Sequence, residues 1–289
     1  MGKQHSKNIL KSFLSGEPRY AGIGLDIIGD IAILKLPESV KDEAGQMAQS
    51  LLEEIRNIKV VFRQTSPVSG SYRTRALEWL VGEKRTTTMH REHGCVFEVD
   101  VGSSYFSPRL SYERLRIASL VQEREKTLGR GEVVLNMFSG VGCFSIVIAR
   151  RSTRTSIFSI DLNPNAIRYM IRNIWLNRVR RKVTAVLGDA SIVSRNLFSS
   201  RMDRVLMLLP EKAYELLGTA VDTIRDRGLI HYYDFVHARR ADPAVKVIEK
   251  VSAKLGSLPV EFKIGDSRVV RSVGPNWYQV ALDIEVIHR

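Results

Sequence analysis

The sequence predicts an α/β fold in which a mainly parallel sheet carries helices on both faces and a smaller α+β domain precedes it. Residues 133–161 have the pattern of a strand, a glycine turn, a helix and a second strand. Further strand–helix units continue to residue 255, which is typical of a parallel sheet. The residues before 104 instead combine alternating segments with one amphipathic helix, which is typical of a separate α+β domain.

The smaller domain is predicted to span residues 21–104, after a basic lead-in over residues 1–20. Its predicted elements are two strands joined by a Gly29-Asp30 turn, a helix over 40–58, a strand over 59–63 and a hairpin over 89–101 that turns near His93-Gly94. His90 and His93 are three residues apart, but that spacing does not converge on a hairpin, so no metal site is expected.

The larger domain is predicted to span residues 105–289. One predicted helix begins at Ser111, and the others cover 144–149, 164–179, 212–227 and 241–255. Its predicted strands cover 133–135, 156–160, 183–187, 203–209, 229–235, 260–264 and 277–287, the last two as a hairpin.

The first strand–turn–helix–strand unit is typical of a nucleoside-binding site. Gly140 and Gly142 let the backbone approach a ligand where a Cβ atom would clash. Asp161, at the tip of the second strand, can accept hydrogen bonds from both ribose hydroxyls of an adenosine. A dinucleotide site prefers three glycines, and the phosphate-loop lysine is absent. S-adenosylmethionine, which has no phosphate, therefore fits this turn better than a dinucleotide.

The composition indicates an intracellular protein with a polyanionic partner. The chain has 289 residues and a net charge of +13, which favours a nucleic acid over a neutral ligand. No apolar run is long enough to span a bilayer, and the polar N-terminus has no signal-peptide core. With only two cysteines, a disulfide framework is not expected. The predicted compartment is the cytoplasm, with no membrane partner and no metal.

Six motifs, taken together, resemble one known family. They are DIIGDIAIL, HREHGCVFEVDV, YFSPRLSYER, NMFSGVG, DLNPNAI and HYYDF, in this order. The chain is similar from about Leu25 onward to the archaeal and eukaryotic tRNA (guanine-37-N1)-methyltransferases. The resemblance implies a class I (Rossmann-like) S-adenosylmethionine-dependent methyltransferase domain behind a small RNA-binding α+β domain. It also implies S-adenosylmethionine as cofactor and the anticodon stem-loop of tRNA as partner, and we expect a monomer.

The resemblance also assigns roles to individual residues. It places the family's general base on Glu113, and the cation near the O6 atom of the target base on Arg73, with Arg75 as the alternative register. The residues it implies for the cofactor pocket are Arg109, Phe138, Gly140, Gly142, Asp161, Leu162, Asp189 and Ala190, with Asp161 on the ribose and Asp189 on the adenine.

Three departures from the family pattern leave alternatives open. Relatives often carry a further N-terminal domain, which this chain is expected to lack. Asn136 stands where an acid usually precedes Met-Phe, and Leu208 stands where an asparagine usually precedes Leu-Pro. The alternatives are a methyltransferase or an aminocarboxypropyltransferase acting on a wyosine-pathway intermediate at position 37, or a tRNA-binding protein with a degenerate site. Arg109-Leu110 favours methyl transfer, because the aminocarboxypropyl enzymes generally have Gly-Asn there.

Overall fold

The computed structural model describes residues 22–239 and 241–289, so the predicted basic lead-in over 1–20 lies outside the described residues. The chain divides into two compact units, residues 1–111 and residues 112–289. The boundary predicted from the sequence lies between 104 and 105. No helix within the described residues is long and apolar enough to cross a membrane.

The first unit contains a four-stranded sheet, a helix and a separate hairpin. In chain order its elements are β1 (Gly24–Ile28), β2 (Ile31–Lys35), α1 (Ala44–Glu54), β3 (Val60–Gln64), β4 (Leu77–Gly82), β5 (Thr87–Glu92) and β6 (Cys95–Asp100). The sheet order is β1-β2-β3-β4, with β2 and β3 parallel and the other pairs antiparallel. Strands β5 and β6 pair with each other as an antiparallel hairpin. The sequence did not predict β4, whose side chains are exposed or only partly buried.

The Gly29-Asp30 turn between β1 and β2 is confirmed. Gly29 has a φ of +57°, and a Cβ atom there would lie 2.1 Å from Oγ1 of Thr88, so this position requires glycine.

The predicted helix over 40–58 was wrong at both ends. Residues 38–43 form a 3₁₀ helix in which Val40 is buried but not α-helical. Val40 therefore belongs to the apolar pattern of the sequence, although it lies before the α-helix begins.

The second unit is a seven-stranded sheet with helices between its strands. In chain order its elements are α2 (Ser111–Leu128), β7 (Val133–Asn136), α3 (Cys143–Arg151), β8 (Ser156–Asp161), α4 (Pro164–Leu176), β9 (Val183–Leu187), α5 (Ala190–Leu197), β10 (Met202–Met207), α6 (Pro210–Thr223), β11 (Ile224–His237), α7 (Pro243–Gly256), β12 (Val260–Gly274) and β13 (Trp277–His288).

The strand order in this sheet is β12-β13-β11-β10-β7-β8-β9. The five strands from β11 to β9 are parallel, and β13 is antiparallel to both of its neighbours. The central strand β10 is buried along its whole length, as expected for a parallel sheet covered on both faces. The C-terminal ends of β7, β8, β9 and β10 meet at one edge, which we call the carboxyl edge.

Two predicted boundaries in this unit were wrong. The helix over 212–227 ends at Thr223, because β11 begins at the buried Ile224 and runs to His237. The polar residues 225–227 resemble a helix surface in the sequence, yet they belong to β11, where Arg227 pairs with Ile287 of β13. Strand β12 continues to Gly274 rather than 264, because its polar second half is held by pairing with β13. An edge strand of this kind lacks the apolar run that marks a buried strand.

Candidate functional site

The glycine turn after β7 is tied to the tip of β8 by three hydrogen bonds. The backbone N–H of Ser139 and its hydroxyl both donate to the carbonyl of Ile160, over 2.9 and 2.8 Å. The N–H of Gly140 donates to Oδ2 of Asp161 over 2.6 Å. Gly142 has a φ of +89° and immediately precedes α3, and a Cβ atom there would lie 2.7 Å from Cγ of Met170. The turn and the acid therefore form one rigid unit.

Asp161 keeps hydrogen-bonding capacity for a ligand. Its Oδ1 accepts from the N–H of Asn163 and its Oδ2 from the N–H of Gly140. A carboxylate has about four acceptor positions, so each oxygen retains one. Burial raises the pKa of Asp161 above its ordinary value, although the two backbone hydrogen bonds oppose that shift. The carboxylate thus lies in a partly desolvated position, where two hydroxyl donors would stabilise its charged form.

Asn136 has a structural role at the end of β7. Its side-chain N–H donates to Oγ of Ser145 over 3.1 Å, and its Oδ1 accepts from the N–H of Phe138 over 3.3 Å. Ser159 on the neighbouring strand also donates to Ser145, over 2.8 Å. Since all three polar side chains are fully buried, the amide at Asn136 holds the beginning of the turn in place.

The remaining predicted cofactor residues of the second unit lie near the ends of β7, β8 and β9. Asp189 caps α5, because its Oδ1 accepts from the N–H groups of Ser191 and Ile192 over 2.9 and 3.1 Å. Its Oδ2 takes no part in this cap. Leu162 follows Asp161 with 43 % of its surface exposed, whereas Ala190 is buried. Phe138 is partly buried and packs against the core of the second unit. The carboxyl edge thus offers two acids with an exposed apolar side chain beside one of them.

Glu113 lies in the first turn of α2 with 2 % of its surface exposed. Its Oε2 accepts hydrogen bonds from the Tyr233 hydroxyl over 2.5 Å and from Nε of Arg116 over 3.1 Å. Its Oε1 accepts from Nε of Arg268 over 3.2 Å. Burial and the adjacent Glu113 carboxylate raise the pKa of Tyr233 well above 10, so the phenol remains a donor. Three donors therefore hold this buried carboxylate, and Oε1 retains an acceptor position.

Two of the three donors around Glu113, Arg116 and Arg268, also bind Asp283 on β13. Arg116 makes two contacts to this carboxylate, over 2.7 and 3.2 Å, and Arg268 makes one over 3.4 Å. His231 lies 2.6 Å from Asp283 through Nδ1. Burial raises the pKa of Asp283, but the hydrogen bond from His231 and the hydrogen bonds and positive charge of Arg116 outweigh burial and lower it. Asp283 is therefore the anion that fixes both arginines.

The contacts continue from His231 to a fully buried ion pair. Nε2 of His231 lies 2.5 Å from a guanidinium nitrogen of Arg204, which also binds Glu132 through two hydrogen bonds of 2.9 and 3.1 Å. An arginine can only donate, so Nε2 must accept and Nδ1 must carry the proton given to Asp283. Burial, opposed by Asp283, lowers the pKa of His231 to about 4. This histidine is neutral at physiological pH.

In the first unit, the structure distinguishes Arg73 from Arg75. The side chain of Arg75 is 7 % exposed and contacts Gln64 over 3.3 Å and Asp26 over 3.7 Å. Arg73 lies in a turn with a φ of +52°, and its guanidinium carbon is 4.9 Å from the centre of the Tyr105 ring. A left-handed conformation is strained for an arginine, and such strain often marks a functional position. Arg73 is the better candidate for contact with a substrate.

Arg109 pairs with Asp26 on β1 over 2.8 Å. Burial raises the pKa of Asp26, but Lys35, Arg109 and Arg75 together outweigh burial and lower it. Asp26 therefore remains ionised and orients several cations of the first unit. Sequence reasoning did not single out Asp26, because a lone acid in an alternating strand carries no motif.

The sequence also did not identify the partners of Glu113. Arg116 lies on the same helix as Glu113, whereas Arg268 lies on β12, 155 residues further along the chain, and only the fold brings it to the carboxylate. Tyr233 was interpreted as a packing residue, and it also donates to Glu113. Among residues 22–239 and 241–289, no group of three or more histidine, cysteine or acidic side chains is arranged to hold a metal.

Comparison with known proteins identifies related families and structures. The TRM5/TYW2 methyltransferase domain model matches residues 88–260, and the TYW2 N-terminal domain model matches residues 7–86. The tRNA (guanine(37)-N(1))-methyltransferase Trm5b of Pyrococcus abyssi is 38% identical over 93% of this chain and 76% of its own length. The tRNA 4-demethylwyosine(37)-methyltransferase Taw21 of Saccharolobus solfataricus is 34% identical over 90% of this chain and 93% of its own length.

Two solved structures show the same fold with ligands of interest. The complex of aTrm5 and tRNALeu superposes with a TM-score of 0.77 at 33% identity, over 98% of this chain and 76% of that one. Methanocaldococcus jannaschii Trm5 in complex with adenosine has a TM-score of 0.77 at 31% identity, over 96% of this chain and 77% of that one.

Proposed function

Because the chain belongs to the TRM5/TYW2 methyltransferase family, we propose that it transfers a methyl group from S-adenosylmethionine to N1 of guanine-37 in tRNA. The observation that carries the proposal is Glu113, a buried carboxylate with three fixed donors and one remaining acceptor position. Relatives named as guanine-37 N1-methyltransferases, and the structure of one family member with tRNA, support the substrate.

The residues at the carboxyl edge fit S-adenosylmethionine. Asp161 has one acceptor position on each oxygen for the two ribose hydroxyls, and Asp189 has Oδ2 for the adenine amino group. The exposed Leu162 can cover one face of the adenine ring. A related structure holds adenosine, which is the part of the cofactor that these residues would contact. When bound, the cofactor supplies a methyl group on a positively charged sulfur.

The chemistry requires a base, because N1 of neutral guanine carries a proton and has no free lone pair. Glu113 is proposed to accept this proton on Oε1 as the methyl group arrives. Arg116, Arg268 and Tyr233 donate to the carboxylate and fix its position. Glu113 also lies in the first turn of α2, whose N-terminus carries a partial positive charge.

Loss of the N1 proton places negative charge on O6 of the base. Arg73 is proposed to stabilise that charge, because a guanidinium directed at a developing oxyanion lowers the barrier. Arg75 suits this role less well, since it is buried and already contacts Asp26. The remaining requirement is alignment of the methyl donor with N1, which positioned side chains provide.

A second candidate substrate is 4-demethylwyosine at position 37. Leu208 follows β10 at the carboxyl edge, where the family pattern has an asparagine, and it is partly buried. An apolar side chain is better suited to a larger, flat tricyclic base than to the polar edge of guanine. Taw21, which is named for this substrate, is 34% identical to the chain.

The experiment is nucleoside mass spectrometry after incubation of the protein with methyl-labelled S-adenosylmethionine and tRNA. Two tRNAs are compared, one with guanine-37 and one with 4-demethylwyosine-37. The proposal expects 1-methylguanosine in the first, with the label at position 37. Label only in the tRNA with 4-demethylwyosine-37 would establish the alternative substrate. Label in neither tRNA would contradict methyl transfer to either base.

A further inference from the structure

A strongly basic surface lies away from the carboxyl edge. Residues 150–182 contain nine arginines and lysines and one acid, Asp161, so this stretch carries a net charge of +8 out of the chain's +13. Asp161 lies at the carboxyl edge, whereas most of the basic residues lie in the two loops that lead into β8 and β9. The positive charge is therefore concentrated at the opposite, amino-terminal ends of these strands.

These two loops are joined into one surface. Nζ of Lys182, just before β9, donates to the carbonyls of Ala149 and Ser152 at the end of α3, both over 2.6 Å. Strands β8 and β9 are parallel neighbours, so their first residues also lie side by side. We call the resulting surface the basic edge. Its arginines are Arg150, Arg151, Arg154, Arg178, Arg180 and Arg181, all of which are exposed.

Most of this charge is not neutralised within the protein. In the part of the chain that the structure describes, Arg178, Arg180 and Arg181 make no salt bridge with a carboxylate. A solvated charged face usually interleaves both signs, as on α7, where the exposed Glu249 lies between Lys246 and Lys250. A block of one sign with no internal counter-charge attracts a polyanion.

The basic edge also carries an aromatic platform. Trp175 is 61 % exposed at the end of α4, and the guanidinium carbon of Arg180 lies 4.9 Å from the centre of its ring. A cavity of about 370 Å³ lies beside it. Its lining residues are Trp175, Arg178, Val179, Arg180, Arg181 and Lys182. Exposed aromatic rings among cations are typical of surfaces that stack unpaired bases while binding the nucleic-acid backbone.

The backbone at Arg178 is strained. The N–H of Val179 donates to the carbonyl of Ile174, and the N–H of Arg178 to the carbonyl of Trp175, which together form a Schellman motif. This motif places Arg178 in the left-handed region with a φ of +57°, where glycine is the preferred residue. The position therefore holds an arginine at a conformational cost, which is consistent with a role for its charge.

We propose that the basic edge is a second RNA-binding surface, which binds the body of the substrate tRNA outside the anticodon stem-loop and stacks one unpaired base on Trp175. The identity of the RNA as the substrate rests on the proposed function. The basic edge and the carboxyl edge are separated by the length of a five-residue strand, about 17 Å. In the proposed complex, the unpaired bases of the anticodon loop lie at the carboxyl edge, and the anticodon stem has no unpaired base. The base that stacks on Trp175 therefore comes from outside the anticodon stem-loop.

The test compares a double variant with a matched control. Arg180→Ala with Arg181→Ala removes two charges from the basic edge. Lys246→Ala with Lys263→Ala removes two charges from α7 and β12, at the other end of the sheet, where both lysines are exposed. For the first variant we expect about tenfold weaker binding of whole tRNA. The slope of the logarithm of affinity against the logarithm of salt concentration should also become shallower by about 2. Binding and methylation of an isolated anticodon stem-loop are expected to be unchanged.

Two further positions, Trp175 and Arg178, are tested by single variants. Trp175→Ala is expected to weaken whole-tRNA binding, and Trp175→Phe to retain it, since phenylalanine still stacks. Arg178→Gly is expected to raise Tm by about 2 °C while weakening whole-tRNA binding, because glycine relieves the backbone strain but lacks the charge. If Arg178 had only a structural role, Arg178→Gly would raise Tm without weakening the binding of whole tRNA.

Three results would overturn the proposal. One is unchanged whole-tRNA affinity in the Arg180/Arg181 variant, and another is an equal loss in the lysine control. The third is equal weakening of whole tRNA and stem-loop, which would make the basic edge part of the anticodon site. Absence of methylation by the wild-type protein would instead contradict the proposed function, and the binding comparison would still test the basic edge.

Discussion

Tyr233 donates its phenolic hydrogen to Oε2 of Glu113 over 2.5 Å, inside the second unit. The neighbouring Tyr232 makes a comparable bond to Oδ2 of Asp234 over 2.8 Å. Both tyrosines are buried on β11, and they point to opposite faces of the sheet because successive side chains of a strand alternate. The two bonds are therefore similar in chemistry, but only one of them holds the proposed base.

We predict that Tyr233→Phe and Tyr232→Phe each reduce the free energy of unfolding by about 1.5–3 kcal/mol, because each removes a buried hydrogen bond to a carboxylate. Only Tyr233→Phe should also slow methyl transfer, by about tenfold, as Glu113 loses a positioning donor. Urea unfolding and single-turnover methylation measure the two effects. Equal transfer rates in the two variants would remove Tyr233 from the site.

The arginines Arg73 and Arg75 form a second matched pair. Arg73→Ala should lower the transfer rate more than it lowers tRNA affinity, because stabilisation of O6 acts in the transition state. Arg75→Ala should instead reduce the stability of the first unit, since it removes a buried partner of Asp26. A loss of tRNA affinity in Arg73→Ala with no change in transfer rate would make Arg73 a phosphate contact.

Asp161→Ala should weaken binding of S-adenosylmethionine by about 2–3 kcal/mol, the loss of hydrogen bonds to two ribose hydroxyls. That corresponds to roughly 30- to 150-fold in Kd by calorimetry. Asp189→Ala should show a smaller loss of affinity, together with about 1 kcal/mol of stability from the lost helix cap. If the Asp161 variant binds the cofactor as tightly as the wild type, the acid does not contact the ribose.

The raised pKa of Asp161 adds a pH dependence to the same measurement. The ribose hydroxyls donate to the ionised carboxylate, so affinity should fall as the acid becomes protonated at low pH. Because burial raises its pKa above 3.8, this fall should begin at a higher pH than for an ordinary aspartate. A wild-type affinity that stays constant down to pH 3.8 would contradict this assignment.

His231 should make stability depend on pH. Its folded-state pKa is about 4, against 6.5 for an ordinary histidine, so the unfolded chain binds more protons between these values. Stability is therefore expected to decrease as pH falls from 6.5 to about 4, by on the order of 3 kcal/mol. His231→Gln should flatten this part of the profile. His237→Gln is the matched control, because this imidazole is exposed at the end of β11.

Local patterns predicted much of the parallel sheet. The glycine turn, Asp161 and the strand Val183–Leu187 are marked by neighbouring residues, and the structure has them where the sequence indicated. Strand β12 was predicted too short, because its second half is stabilised by pairing with β13 rather than by an apolar run of its own. Local propensity cannot reveal a strand of that kind.

The candidate site was only partly predictable for a similar reason. Glu113 was found through a motif, but its partners Tyr233 and Arg268 are 120 and 155 residues away in the chain. No spacing rule connects residues that meet only after the sheet has formed. The network from Glu132 through Arg204 and His231 to Asp283 therefore appears only in the folded chain.

Glu113 is proposed to remove the N1 proton of guanine-37 during methyl transfer. The most direct measurement is single-turnover methylation of a guanine-37 tRNA by the wild-type protein and by Glu113→Gln, with cofactor and tRNA binding measured for both. Glutamine keeps the shape of the side chain but cannot take the proton. Binding should be retained, and transfer to N1 should slow by on the order of a hundredfold or more. An unchanged transfer rate in Glu113→Gln would contradict this proposal.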